Sequence, residues 1–168
     1  MWIKSSKQVV ITGKWALLTI FLLAQTAMPE ENSDKILLRL VNGSQKIELD
    51  RGALEALPQT RFETETIWTD RILAFSGPTL MSVLELAGIA GQPVVATAVN
   101  AYEARIPVDL IEEDAPIIAT RMNGEAFGRR QKGPLWIVFP FDRDRRFQSE
   151  KVFSSSVWQL IHLRPVGD

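Results

Sequence analysis

The side chains that could recognise a ligand fall at the ends of apolar runs. Trp68, Asn100 with Tyr102, Trp136 and Trp158 each sit at or beside the boundary of a strand-like stretch, where side chains line pockets at a sheet edge. Aromatic faces stack on planar heterocycles, and amide or guanidinium groups recognise their edges. A second group is basic: Arg129, Arg130 and Lys132 lead through Gly133-Pro134 into the apolar run 135–139. That loop is either a solvated face or a holder for an anionic or planar polar ligand. Trp136, inside the apolar run, reads as core, whereas Trp68 among Thr66, Thr69 and Asp70 reads equally as core or as pocket wall.

Other chemistries find little support. The acids are scattered, with Glu63 and Glu65 on one solvated strand face and 112–114 a surface acidic cluster, so no paired general acid and base is indicated. Residues 88–91 contain two glycines but follow a helix and lack the lysine or third glycine of a phosphate loop. The absence of cysteine excludes both a disulfide framework and thiolate metal chemistry. His162, the only histidine, alternates with apolar neighbours and reads as a surface or edge-strand residue.

The 168 residues, 46% hydrophobic and 23% charged, suffice for one domain with its own core. The formal charge of −1 and the lack of a long basic stretch give no track for nucleic-acid phosphates. Residues 1–27 have the three parts of an export signal: Lys4, Lys7 and Lys14, the apolar run 15–24, and small residues at Ala24, Thr26 and Ala27. Their removal, deleting three lysines and no acid, takes the charge from −1 to −4. A cut after Ala27 puts Gln25 where a small residue is preferred, so an uncleaved anchor stays open. Residues 28–34 read as a linker and 35–168 as the folded domain, which places the protein in the periplasm.

Within the domain, alternation across 36–49 with Asn42-Gly43 between predicts a hairpin. Asp50 caps a short helix over 51–57, and 60–67 reads as a half-exposed strand. Residues 72–75 form another strand, Ser76-Gly77-Pro78 opens a helix with Leu80, Val83, Leu84 and Ala87 on its inner face, and Gly88 closes it. Strands follow at 94–99 and 117–121, a helical turn starts near Asp109, Asn123-Gly124 is a turn, 135–139 is the central strand, and 157–163 closes the sheet. Eight or so strands, two or three helices and no βαβ repeat predict an α+β fold with a mainly antiparallel or mixed sheet.

The order Trp68-Thr69-Asp70, Phe75-Ser76-Gly77-Pro78, Ala98-Val99-Asn100-Ala101-Tyr102, Ile106-Pro107, Arg121-Met122-Asn123-Gly124, Gly133-Pro134-Leu135-Trp136-Ile137-Val138-Phe139-Pro140 and Ser156-Val157-Trp158-Gln159-Leu160 resembles the small exported proteins of the molybdopterin-binding, sulfite-oxidase-like fold. It covers 35–164. Larger enzymes of that family hold molybdenum through a cysteine; the resemblance puts Thr97 or a near neighbour there, and a threonine hydroxyl is a poor substitute for a soft thiolate. The small stand-alone members bind pterins in the periplasm and act with a membrane-bound cyclic-di-GMP signalling enzyme. The resemblance therefore implies a non-catalytic pterin-binding regulator without molybdenum: Trp68, Tyr102 or Trp158 stacks on the ring, Asn100 bonds its edge, and Arg129 or Arg130 contacts polar substituents. Two alternatives remain open. One is a molybdenum-cofactor-dependent oxidoreductase or a subunit of one; the other is a protein-interaction module with a vestigial pocket, binding elsewhere, as through 112–114.

Overall fold

The computed structural model describes residues 35–167. The expected export signal 1–27 and linker 28–34 lie outside the described residues. Strands β1 (Leu38–Asn42) and β2 (Gln45–Leu49) form the expected hairpin, with Asn42 opposite Gln45 and Gly43 at φ +57° in the turn. Helix α1 (Arg51–Glu55) follows at once because the Asp50 carboxylate accepts the Ala53 N–H at 2.7 Å. Strand β3 (Gln59–Thr64) alternates exposed and covered residues and pairs antiparallel with β4 (Leu73–Pro78), Phe62 opposite Phe75.

The expected helix start at Ser76-Gly77-Pro78 is corrected. All three residues belong to β4, and helix α2 (Leu80–Leu86) begins two residues after Pro78, capped by Thr79, whose hydroxyl oxygen accepts the Ser82 N–H at 3.2 Å. Gly77 keeps this segment extended because its Cα face lies directly against the Ile118 carbonyl. The inner face of α2 is as expected, with Leu80, Val83, Leu84 and Ala87 buried, and Gly88 takes the left-handed conformation at φ +65°.

Three sheets share the core. Five strands run in the order β2-β1-β11-β5-β6, with β5 (Val94–Ala98), β6 (Glu103–Ile106) and β11 (Leu160–Pro165); β1 and β11 are parallel and the other pairs antiparallel. A four-stranded sheet is ordered β3-β4-β8-β9, where β8 (Arg121–Met122) and β9 (Glu125–Ala126) flank the Asn123-Gly124 turn. Strands β7 (Ile117–Ala119) and β10 (Trp136–Val138) pair by themselves. The fold class is α+β with mixed and antiparallel sheets and short helices. Residues 117–121 are thus two strands in two sheets, divided at the buried Thr120, whose N–H donates to Ser76 O at 2.9 Å. The run 135–139 is wholly buried, but β10 has one strand partner and a single bridge, Trp136 to Trp158, so it is central to the core and not to a large sheet.

Strand β11 does not close a sheet edge; it lies between β1 and β5. His162 is accordingly an interior-strand residue, in a row that runs Glu48, Arg39, His162, Thr97, Glu103 across five strands. It is half-buried, and its Nε2 is shut from solvent with no hydrogen-bond partner. Burial, then the charges of Arg164 and Arg39, lower its pKa from the ordinary 6.5, against a smaller opposing effect of Glu103. The unfolded chain therefore binds this proton at a higher pH than the folded one. Stability from the neutral ring is present above pH 6.5 and is lost as pH falls through the lower folded value. Urea midpoints measured at descending pH should fall faster for wild type than for His162→Gln, which has no proton to bind; parallel pH profiles would exclude His162 as the cause.

Candidate functional site

Trp68 projects from the loop joining β3 to β4, and threonines build that loop. The Thr69 hydroxyl accepts the Thr66 N–H at 3.0 Å, Thr66 Oγ1 accepts the Trp68 N–H at 3.1 Å, and the Thr69 N–H donates to Thr66 O at 3.1 Å. Such side-chain-to-backbone bonds fix a turn locally. Asp142 anchors the loop's start, its Oδ2 accepting the Glu65 N–H at 2.6 Å. The turn from β5 to β6 carries Asn100 and Tyr102: Asn100 Oδ1 accepts the Tyr102 N–H at 3.2 Å, and Ala101 between them sits at φ +64°. The Tyr102 hydroxyl reaches helix α3 (Glu150–Ser155), donating to Ser154 O at 3.0 Å.

Trp158 follows α3 and meets Trp68 edge to face, with centroids 5.2 Å apart and planes at 73°. Trp68 also makes edge contacts with Trp136 at 6.0 Å, Phe153 at 6.2 Å and Phe141 at 6.3 Å. Trp136 is core, as its place in the apolar run implies; its indole N–H donates to Ser156 Oγ at 3.1 Å, and that hydroxyl donates to Ile137 O at 2.7 Å.

These elements enclose a cavity of about 550 Å³ whose walls include Trp68, Asn100, Tyr102, Phe153 and Trp158. Four of the six side chains singled out from sequence, Trp68, Asn100, Tyr102 and Trp158, thus meet around one space of a size suited to a small heterocycle. Arg129 and Arg130 do not line it. They are exposed on a 3-10 turn, Arg129–Gln131. Arg130 borders a polar cleft of about 540 Å³ with Arg71, Asp70, Glu125 and Lys132, and Arg129 a groove of about 390 Å³ with Lys35 and Arg51. The basic loop is tied to the start of β11 instead: the Gln159 amide donates to Arg129 O and its N–H to Lys132 O, each at 3.0 Å. Lys132 comes nearest to the cavity, its Nζ 5.3 Å from the Trp158 ring centroid. Trp68 lines both the aromatic cavity and the polar cleft.

Sequence reasoning missed α3, which supplies Glu150, Phe153 and Ser154 to the wall. The available signal was Ser149 before an acid and a short apolar pair, Val152 and Phe153.

Thr97 faces away from the cavity side of its strand and donates to Glu103 Oε1 at 3.1 Å, while its neighbour Ala98 lines the cavity with a methyl group. Glu150 is the one carboxylate among the lining residues, and the described residues contain no group of three or more histidine, cysteine or acidic side chains that could hold a metal. This donor set does not fit a molybdenum ion held through a protein thiolate.

A family model described as the oxidoreductase molybdopterin binding domain matches residues 44–142. Among curated proteins none matches the sequence. Among solved structures, the sulfane dehydrogenase SoxCD from Paracoccus pantotrophus is similar at a TM-score of 0.60 and 17% identity. The similarity covers 81% of this chain and 39% of that one, so the chain spans well under half the length of that structure. It carries the fold alone, the sulfite-oxidase-like molybdopterin-binding architecture. With more than half of its length matched by the family model, this chain belongs to the oxidoreductase molybdopterin-binding domain family.

Proposed function

We propose that the chain is an exported, non-catalytic pterin-binding protein that regulates a membrane-bound cyclic-di-GMP signalling enzyme through its ligand state. The observation that carries the pterin reading is the aromatic cavity of about 550 Å³, walled by Trp68, Tyr102, Phe153 and Trp158 and lacking any thiolate, in a domain of a molybdopterin-binding family. The ring system of molybdopterin is a pterin, so a cavity that keeps the stacking walls and lacks the metal-holding group suits the organic part of the cofactor. The periplasmic location rests on the pattern of 1–27, and the signalling partner on the resemblance of the sequence to small stand-alone members of the fold.

Titration of the purified protein with reduced pterins should quench tryptophan fluorescence and release heat. Trp68→Ala should weaken binding about ten-fold or more, since stacking of a planar base on an aromatic side chain is worth about 1–3 kcal/mol. Because Trp68 also packs on Trp136 and Phe141, a melting curve of the variant separates loss of stacking from loss of fold. No heat and no quenching with the wild-type protein would sink the pterin reading. Copurification of the signalling enzyme's periplasmic part, dependent on pterin, tests the regulatory half separately.

The family match favours a second reading, a molybdenum-cofactor oxidoreductase or a subunit of one with the metal held by non-protein ligands. Stoichiometric molybdenum in protein from a cofactor-competent host would support it. The interaction-module reading has a weaker base at 112–114, because Glu112 and Asp114 are engaged by Arg146 and Arg143 at 2.6 Å each.

A further inference from the structure

We propose that Glu150 is the residue by which the cavity recognises the ring: its carboxylate accepts the adjacent N–H donors of a 2-amino-4-oxopteridine edge, and the Asn100 amide donates to the ring carbonyl. The assignment rests on the pterin reading above and names the group that would set its specificity.

The Tyr102 hydroxyl proton is given to Ser154 O, and the Ser154 hydroxyl donates to Lys151 O at 3.0 Å. Ser156 Oγ is consumed by Trp136 and Ile137. Asn100 Oδ1 is taken by the Tyr102 N–H, which leaves the amide nitrogen of Asn100 and its two hydrogens available. The exposed Glu150 carboxylate has neither a hydrogen bond nor an ion pair among the described residues; the adjacent cation, Lys151, is held by Asp109 at 2.7 Å. Glu150 and Phe153 are three residues apart on α3 and therefore share a face, and both line the cavity.

Among the described residues the cavity thus offers aromatic walls, one free acceptor-only group in Glu150, free donors in the Asn100 amide and the Trp68 and Trp158 indoles, and no lining lysine or arginine. An anionic group placed there would meet the Glu150 carboxylate, the nearest cation being Lys132 over the outer Trp158 ring at 5.3 Å. A 2-amino-4-oxopteridine presents the complementary sequence along one edge: amino N–H, ring N–H, carbonyl oxygen. A carboxylate can take the first two as a bidentate pair, and such charge-assisted bonds are the stronger kind. Replacing the amino group by a carbonyl, as in 2,4-dioxopteridine, would set an oxygen against the carboxylate and lose one of the two bonds.

Fluorescence and calorimetric titrations of the full chain with 2-amino-4-oxopteridine and 2,4-dioxopteridine test the assignment. Wild type should prefer the amino compound by about ten-fold or more, as expected for a bond to a charged group. Glu150→Gln should bind the amino compound about ten-fold more weakly and bring the preference towards unity, because its amide can donate to either oxygen or accept from either nitrogen. Glu63→Gln, an exposed acid on β3, should match wild type. If wild type and Glu150→Gln bind the amino compound alike, or wild type binds the two pteridines equally, the edge assignment is overturned while the pterin reading stands. If wild type binds neither these pteridines nor the reduced pterins, the pterin reading fails and takes the assignment with it; if it binds the reduced pterins alone, the edge assignment is overturned, because the recognised edge is the same in both. Displacement of bound pteridine by an equal concentration of tetramethylammonium would make the aromatic cavity a cation cage and would likewise overturn the edge assignment.

Discussion

Gly77→Ala should destabilise the protein by about 3 kcal/mol and lower its melting temperature by about 10 °C, the upper end of what overpacking ordinarily costs. A Cβ at this position would be driven into the Ile118 carbonyl oxygen, with the Ile118 carbonyl carbon 2.8 Å and Ala119 Cα 3.0 Å away. These are backbone atoms of β7, which is itself fixed by its ladder to β10, so no side-chain rotation relieves the contact. Gly77 and its neighbours are also bound on their other side, opposite Thr60 in β3. Relief would require the two sheets to part where Phe75 and Ile117 are both fully buried.

Gly52→Ala is the companion measurement. Gly52 is exposed in α1, and an added methyl would meet only the Asp50 carboxylate at 3.4 Å. Replacing this first-turn glycine, whose backbone alanine can adopt without strain, should stabilise by about 0.4–1 kcal/mol. The same chemical change is therefore expected to have opposite signs at two sites. Equal melting shifts in thermal denaturation would show that the close approach of β4 to β7 does not govern stability.

That approach also explains what the chain did and did not reveal before its fold was known. The Asn42-Gly43 and Asn123-Gly124 turns and the Asp50 cap are set by residues adjacent in sequence, so local chemistry identifies them. Ser76-Gly77-Pro78 is equally rich in local signals, and they point to a helix start. What holds it extended is Ile118, forty-one positions beyond Gly77, and no short-range pattern records that contact. The same holds for β11: its parallel pairing with β1 joins the two ends of the domain and moves His162 from an expected edge to an interior strand.

The candidate site divides along the same line. Trp68, Asn100, Tyr102 and Trp158 stand beside strand ends, and the three sheets bring those ends around one cavity. The basic loop gave no hint of its direction: Gly133 packs directly on Phe127, and Arg129 and Arg130 border other clefts. Glu150 and Phe153 were missed because α3 has six residues, too few for a periodic pattern, and its start is marked only by Ser149, whose side chain makes no cap bond.

Ser156→Ala should cost about 2 kcal/mol and weaken pteridine binding as well, although Ser156 offers a bound ring no free hydrogen-bonding atom. Its hydroxyl is the acceptor for the Trp136 indole N–H and the donor to Ile137 O, and both Ser156 and Trp136 are buried. Alanine leaves the indole N–H without a partner inside the core, and an orphaned buried donor costs about 1–3 kcal/mol. The functional consequence follows from what Trp136 supports. It packs edge-on against Trp68 at 6.0 Å and against Trp158 at 6.3 Å, the two indoles that wall the cavity. An indole released from its hydrogen bond can tilt, and the rings resting on it lose their fixed spacing. Ser154→Ala is the contrast: its hydroxyl is exposed and bonds only Lys151 O, and the carbonyl that receives Tyr102 is backbone and survives the substitution. Its melting point should stay within the shift of about 0.5 kcal/mol typical of surface changes. A Ser156→Ala protein that melts lower yet binds pteridine with wild-type affinity would show that the walls hold their positions without Trp136, and the packing account of the site would fail.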